Sequence, residues 1–269
     1  MFSIKNYIDD YKNGDTKGVT QKYGGFSVVE YFLDTSVPAQ LAETIYFCNR
    51  MNIRKRQLLC NLKNTSVIVQ SDAMQWMVGQ VSVCTGVSGA GDFTKKMIRG
   101  AISGESAIKP KYSGDGLLIL EPTYRHIILC DIAEWGGSVS MDDGLFLASD
   151  ARIQNKIMPR KTLSSAVFGN EGLFDLCLVG QEGIFAMESP VPRSELIEIY
   201  LRNDELKIDG NLAIAWSSSL NFTVERTTKT LAGSAASGEG LVNVYRGTGK
   251  VWLAPVEANP IATVVHTNS

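Results

Sequence analysis

Histidine is almost missing from this chain: its 269 residues hold two, His126 and His266. They form no H-E-x-x-H and no zinc spacing, so a histidine-built metal centre has few ligands to draw on. Cysteine is sparse and unpatterned. Cys48, Cys60, Cys84, Cys130 and Cys177 are odd in number, far apart and without a C-x-x-C, which argues against a disulfide framework or a zinc knuckle. They read as small buried hydrophobes in a reducing compartment, and so as a cytoplasmic protein. No run approaches the ~18 apolar residues of a spanning helix. The opening "MFSIKNYIDDYKNGD" sets Asp9 and Asp10 where a signal peptide needs an apolar stretch. Charge of neither sign is in excess, 26 basic against 28 acidic residues for a net −2. Duplex binders draw most of their affinity from phosphate neutralisation, so nucleic acid is a poor default partner. There is no complete nucleophile elbow; "GVSGAG" misses one because Ala90 stands where the final glycine belongs. No catalytic, cofactor-binding or metal-ligating residue is assigned, although a triad assembled from distant residues stays open at this level.

What is present is a recurring pattern. "YSGDGLLILEP" (112–122), "LVGQEGIFAMESP" (178–190) and "YRGTGKVWLAP" (245–255) each place a glycine, a second glycine, a short apolar run and a proline in that order. Their leading glycines, Gly114, Gly180 and Gly247, lie 66 and then 67 residues apart. Even spacing of this kind marks duplication. Upstream, "VIVQSDAM", "LFLASDAR" and "LAIAWSSS" recur in step. We read three tandem copies, 55–122, 123–190 and 191–255, after an extension over 1–54 and before a tail over 256–269.

Each copy is β in character. "LLIL", "IFAM" and "VWLA" are apolar runs too short for helices, bounded by glycine and proline. The paired glycines are expected to supply the positive φ of hairpin turns, and Pro122, Pro190 and Pro255 to close each unit. The fold class is therefore all-β: three sandwich-like repeats in a pseudo-threefold arrangement, with one or two short helices. "GTGK" before Val251 is not a phosphate loop. Val244 occupies the first-glycine position, and a strand pattern follows Lys250.

Two segments fall outside the pattern. Residues 86–104 enlarge the first copy, and Asp92 can cap a helix near 92–102. Phe93, Met97, Ile98 and Ile102 share one half of its wheel; Lys95, Lys96 and Arg99 share the other. The helix reads as cover for an open end of the β core, with its three cations as the alternative docking face for an anionic lipid, RNA or an acidic partner. In the extension, 24–33 reads as a strand and 36–52 as a helix capped by Ser36 with Pro38 in its first turn. Arg50, Arg54, Lys55 and Arg56 then read as a solvated junction. His126 opens an apolar strand and reads as structural, Asp142 and Asp143 as a turn. Trp76, Trp135, Trp216 and Trp252 read as core or interface residues.

The motifs "SVIVQSDAMQWMVGQVSV", "RGAISGESAI", "SGDGLLILEP", "DGLFLASDARI" and "GEGLVNVYRGTGKVWLAP" over 56–255 resemble the mitochondrial-biogenesis family named for altered inheritance of mitochondria. That resemblance implies a compact double-stranded β-helix like the tryptophan RNA-binding attenuation protein, and it supplies no catalytic residues. The expected function is a non-enzymatic binding or scaffold protein that forms homo-oligomers, because three sheet-rich copies present edges that must be paired, covered or charged. It is expected to take a protein partner or a peripheral membrane contact and no cofactor. An RNA or nucleotide binder is the alternative, by fold analogy alone, and a cupin-like metal-dependent enzyme is the second.

Overall fold

The computed structural model describes residues 2–5, 7, 16–85, 109–159, 174–226 and 241–255. The chain opens with the hairpin β1 (Lys17–Tyr23) and β2 (Phe26–Tyr31), then helix α1 (Ala42–Arg50). Next come β3 (Arg56–Asn61), β4 (Ser66–Val69), β5 (Met74–Cys84) and β6 (Lys111–Leu120). β7 (His126–Asp131), β8 (Ser138–Asp142), β9 (Phe146–Asp150), β10 (Gln154–Pro159), β11 (Phe174–Val179) and β12 (Ile184–Ser189) follow. β13 (Ile197–Asp209), β14 (Ala213–Ser217), β15 (Asn221–Arg226) and β16 (Leu241–Leu253) complete the described chain. The all-β expectation holds. No described helix is long and apolar enough to cross a membrane.

The strands form two antiparallel sheets. One has nine strands in the order β1-β2-β3-β6-β4-β9-β12-β7, with β5 also on β6; the other has seven, β10-β11-β8-β14-β16-β13, with β15 also on β16. Fifteen buried residues, among them Phe26, Leu58, Val67, Leu118, Ile127 and Ala186, form one core drawn from strands of the first sheet, with Leu62 from the β3–β4 turn. A sheet that encloses its own core must curl on itself, and this one nearly closes. At the seam Gln21 of β1 reaches β7: its Nε2 donates to the Ile127 carbonyl at 2.8 Å, and the Leu129 N–H donates to its Oε1 at 3.4 Å. A side-chain amide thus stands in for a missing backbone rung. A second core, with Phe146, Phe185, Met141, Leu176 and Trp252, joins the two sheets; each such side chain contributes roughly 1.5–3 kcal/mol on burial.

The glycine pairs are not hairpin turns. Gly114 and Gly116 lie inside β6, and Gly247 and Gly249 inside β16. β4 pairs with residues 111–113 of β6 and β3 with 117–119. β15 pairs with 241–246 of β16, and β14 with 251–253. Each glycine pair therefore marks the place where one continuous strand changes neighbours. In the middle segment Gly180 and Gly183 separate β11, in the seven-stranded sheet, from β12, in the other. Positive φ at Gly114 (131°) and Gly247 (124°) serves a bend within a strand. The strand after Lys250 is observed, without a helix.

The extension also departs from expectation in detail. The helix begins at Ala42, after a tight 3₁₀ turn at Ala39–Leu41 entered through Pro38. Ser36 caps nothing and bonds Asp34 instead, its hydroxyl donating to Oδ1 at 2.7 Å. The basic run is a solvated junction only in part: Arg50 is exposed, and Arg56 is not. Arg56 is 1% exposed: its Nε pairs with Glu30 Oε1 at 3.2 Å, Nη2 donates to Asn52 O and Oδ1, and Nη1 donates to Arg54 O and Tyr124 O. A charge this deep is tolerable because every donor direction is met. Local sequence gave no sign of Glu30 as its partner.

Candidate functional site: a bare sheet edge and a lysine-lined cleft

The side chains that could carry chemistry are quiet. Among the described residues no group of three histidine, cysteine or carboxylate side chains is placed to hold a metal ion. Burial pushes the Cys60 thiol far up and that of Cys130 up to about 12, so neither supplies a thiolate. His126 is pushed down to about 4, first by burial and then by Arg56 and Arg54. Lys250 is buried, and its Nζ sits 4.1 Å from the centre of the Trp135 ring and 5.3 Å from that of Trp252. Arg193 covers Trp252 at 4.3 Å. This cation–π stack runs from the buried Lys250 out to the half-exposed Arg193, with burial lowering the lysine's proton affinity. Trp135, Trp216 and Trp252 are core residues, as expected. Asp142 makes the expected turn, its Oδ1 accepting from Gly144 N at 2.9 Å. Lys95, Lys96, Arg99, His266 and the helix near 92–102 lie outside the described residues.

Two features remain that could meet another molecule. The first is the edge of β5. Among the described residues β5 pairs with β6 alone. Its eleven residues, "MQWMVGQVSVC", hold no charge and no proline, and none is buried; Met74, Met77 and Val83 are 38%, 42% and 46% exposed. The other edges are guarded. β13 carries Glu198, Arg202, Asp204, Glu205, Lys207 and Asp209; β10 carries Lys156 and ends in Pro159; β15 ends in Glu225 and Arg226. β1 is closed onto β7 by Gln21. Charge, proline and closure are the usual ways to stop strands adding to an edge, and β5 uses none of them.

The second is a cleft of about 1330 Å³ where the β1–β2, β3–β4 and β9–β10 turns meet the β11–β12 link. Asp150, 5% exposed, ties this end together. Its Oδ2 accepts from Ile184 N at 2.7 Å and lies 3.3 Å from Arg152 Nη2, while its Oδ1 accepts from Thr65 Oγ1 at 3.3 Å. Arg152 also pairs with Glu182. Lys22, Lys63 and Lys111 stand around the opening from three separate elements. None has a charged or hydrogen-bonding partner for its ammonium group among the described residues. Sequence reasoning missed all three, since gaps of 41 and 48 residues carry no motif.

An uncharacterised protein of Streptococcus pyogenes serotype M6 is 28% identical over 205 residues, covering 73% of this chain and 79% of the relative. A Streptococcus pyogenes protein solved by X-ray crystallography matches with a TM-score of 0.57 and 25% identity, over 80% of this chain and 94% of that one. The family model of mitochondrial biogenesis AIM24 matches residues 51–256, a span running from just before β3 to just past β16. The chain belongs to the AIM24 mitochondrial-biogenesis family.

Proposed function

We propose that the protein is a non-enzymatic binding protein that works as a homo-oligomer, with the edge of β5 as its self-association surface. One observation carries this reading: β5 is a long edge strand without charge or proline that pairs on one side alone among the described residues, with Tyr7 packed edge-on against its Trp76. Ten steps at ~3.4 Å give an edge about 34 Å long, along whose outer side backbone donors and acceptors face away from β6. A second copy of the same chain is the favoured occupant. Antiparallel pairing about the midpoint, Gly79, sets Met77 opposite Val81 of the other copy and brings no like charges together. The charged edges of β13 and β15 would oppose such pairing with themselves.

The test is light scattering on the purified protein and on the double variant Met77→Lys, Val83→Lys. The intact protein is expected at a multiple of 29.3 kDa, and the variant at the monomer mass with an unchanged circular dichroism spectrum. A monomeric parent protein, or a variant that keeps the parent's mass, overturns the reading.

A further inference from the structure

We propose that the cleft bounded by Lys22, Lys63 and Lys111 binds an amphiphilic anion: a single-chain molecule with a carboxylate or phosphate head on an apolar tail. The inference does not rest on self-association. It starts from a contrast in how this protein handles its cations. Arg56 pairs with Glu30, Lys55 with Asp34, Arg125 with Glu188, Arg193 with Glu198, and Arg246 with both Glu205 and Glu225. What sets the cleft apart is that several cations without such a pairing among the described residues converge on one space. Lys22, Lys63 and Lys111 come from β1, the β3–β4 turn and β6, and none of them pairs with a carboxylate among the described residues. Arg152 is the fourth cation there, and it is already engaged by the two lining carboxylates, Asp150 and Glu182. Four cations against two carboxylates leave the cleft at +2, in a chain whose net charge is −2.

Like charges gathered in a concave wall focus a positive potential on the space between them, and an anion entering that space relieves their repulsion. The lining calls for more than a bare anion. Ile4, Val19, Leu117 and Ile184 give the wall an apolar part beside the lysines. The volume exceeds the ~300–1,000 Å³ of a site for a compact drug-sized ligand, which leaves room for an extended chain beside the head group.

The site is also held in shape before any ligand arrives. Asp150 fixes the β12 entry and the β3–β4 turn. Asn61 N donates to Gly25 O at 2.8 Å and Ala151 N to Ser66 O at 2.9 Å, tying the remaining turns to one another. Preorganisation of this kind lowers the ordering cost of binding. The three lysines are exposed, and their ammonium groups suit a carboxylate or a phosphate as point charges.

Isothermal titration calorimetry tests the proposal with four probes, each below its micelle concentration: dodecanoate, dodecyl phosphate, the neutral dodecyl maltoside, and inorganic phosphate. The two anionic amphiphiles are expected to bind saturably at one per chain. Dodecyl maltoside and inorganic phosphate are each expected at least about tenfold weaker. Comparing dodecanoate with dodecyl phosphate shows which head group the lysines prefer, and either preference fits. The double variant Lys63→Glu, Lys111→Glu is expected to lose at least about tenfold in affinity, and the milder Lys63→Met, Lys111→Met to lose less while keeping the parent's thermal midpoint. Equal binding of the neutral amphiphile, equal binding of inorganic phosphate, or unchanged affinity in both lysine variants overturns the proposal. Repeating the titration on Met77→Lys, Val83→Lys separates the two surfaces, because cleft binding is expected to persist there whatever the oligomeric state.

Discussion

Replacing Arg56 with alanine would remove the most deeply placed charge that joins the amino-terminal hairpin to the rest of the nine-stranded sheet. The guanidinium has five oxygen partners within reach: Glu30 Oε1, Asn52 O, Asn52 Oδ1, Arg54 O and Tyr124 O. Alanine leaves a carboxylate that is 15% exposed with Arg54 Nη1 as its nearest cation, at 3.9 Å, and three main-chain carbonyls short of a donor. Removing one partner of a buried pair costs about 3–5 kcal/mol. Each orphaned neutral acceptor adds up to roughly 1 kcal/mol where water cannot reach it. Solvent reaches part of the Glu30 side, so about 4 kcal/mol is the expected loss, a large share of the ~5–15 kcal/mol that a domain has. Urea unfolding measures it as a lower midpoint at unchanged slope. A second readout is independent of global stability. Arg56 is among the causes that depress His126, after burial itself, so the variant's imidazole should titrate at higher pH by NMR. Loss below about 1 kcal/mol, or an unmoved His126, would refute the account of Arg56 as a buried anchor.

His126 itself sets a pH dependence. Its folded value of about 4 lies below the ordinary 6.5, so the native state binds fewer protons and stability falls as pH drops from about 6.5 towards 4. The ceiling is about 3 kcal/mol, and partial solvent access reduces it to about 1 kcal/mol; His126→Gln should flatten that limb of a pH series, and an unchanged limb would show another group in charge. Two glycines in equivalent bends should respond differently to alanine. A Cβ at Gly114 would meet Gln80 O at 2.0 Å, whereas at Gly247 the nearest atoms are 3.8 Å away. Gly114→Ala is therefore expected to cost more than about 3 kcal/mol and Gly247→Ala about 1–2 kcal/mol from backbone strain alone; equal thermal shifts would disprove the steric difference.

The sequence made the β class legible because its apolar runs are short and bounded by glycine and proline, a local property. It misassigned what the glycines do. A positive φ serves a hairpin turn and a strand bend equally well, and only the neighbours of β6 and β16 distinguish the two. Arg56 was misread for the same reason: beside Arg54 and Lys55 it belongs to a charge run, and its burial depends on Glu30, far away in the chain. The sequence reading assigned no strand to "MQWMVGQVSVC", and the position of β5 at an edge follows from topology. Lys22, Lys63 and Lys111 meet only after the turns that carry them converge.

The amide of Gln21 at the β1–β7 seam gives the curled sheet a clasp rather than a weld. A backbone rung can be lost only by dragging its strand away, whereas this one can be released by rotation of a single side chain. Opening there forfeits about three hydrogen bonds, the third from the Tyr23 hydroxyl to Asp131 Oδ2 at 2.9 Å, each worth roughly 1 kcal/mol, and leaves β2 still paired to β3 and β7 to β12. The wall can gape at one line while the rest of the molecule holds its shape.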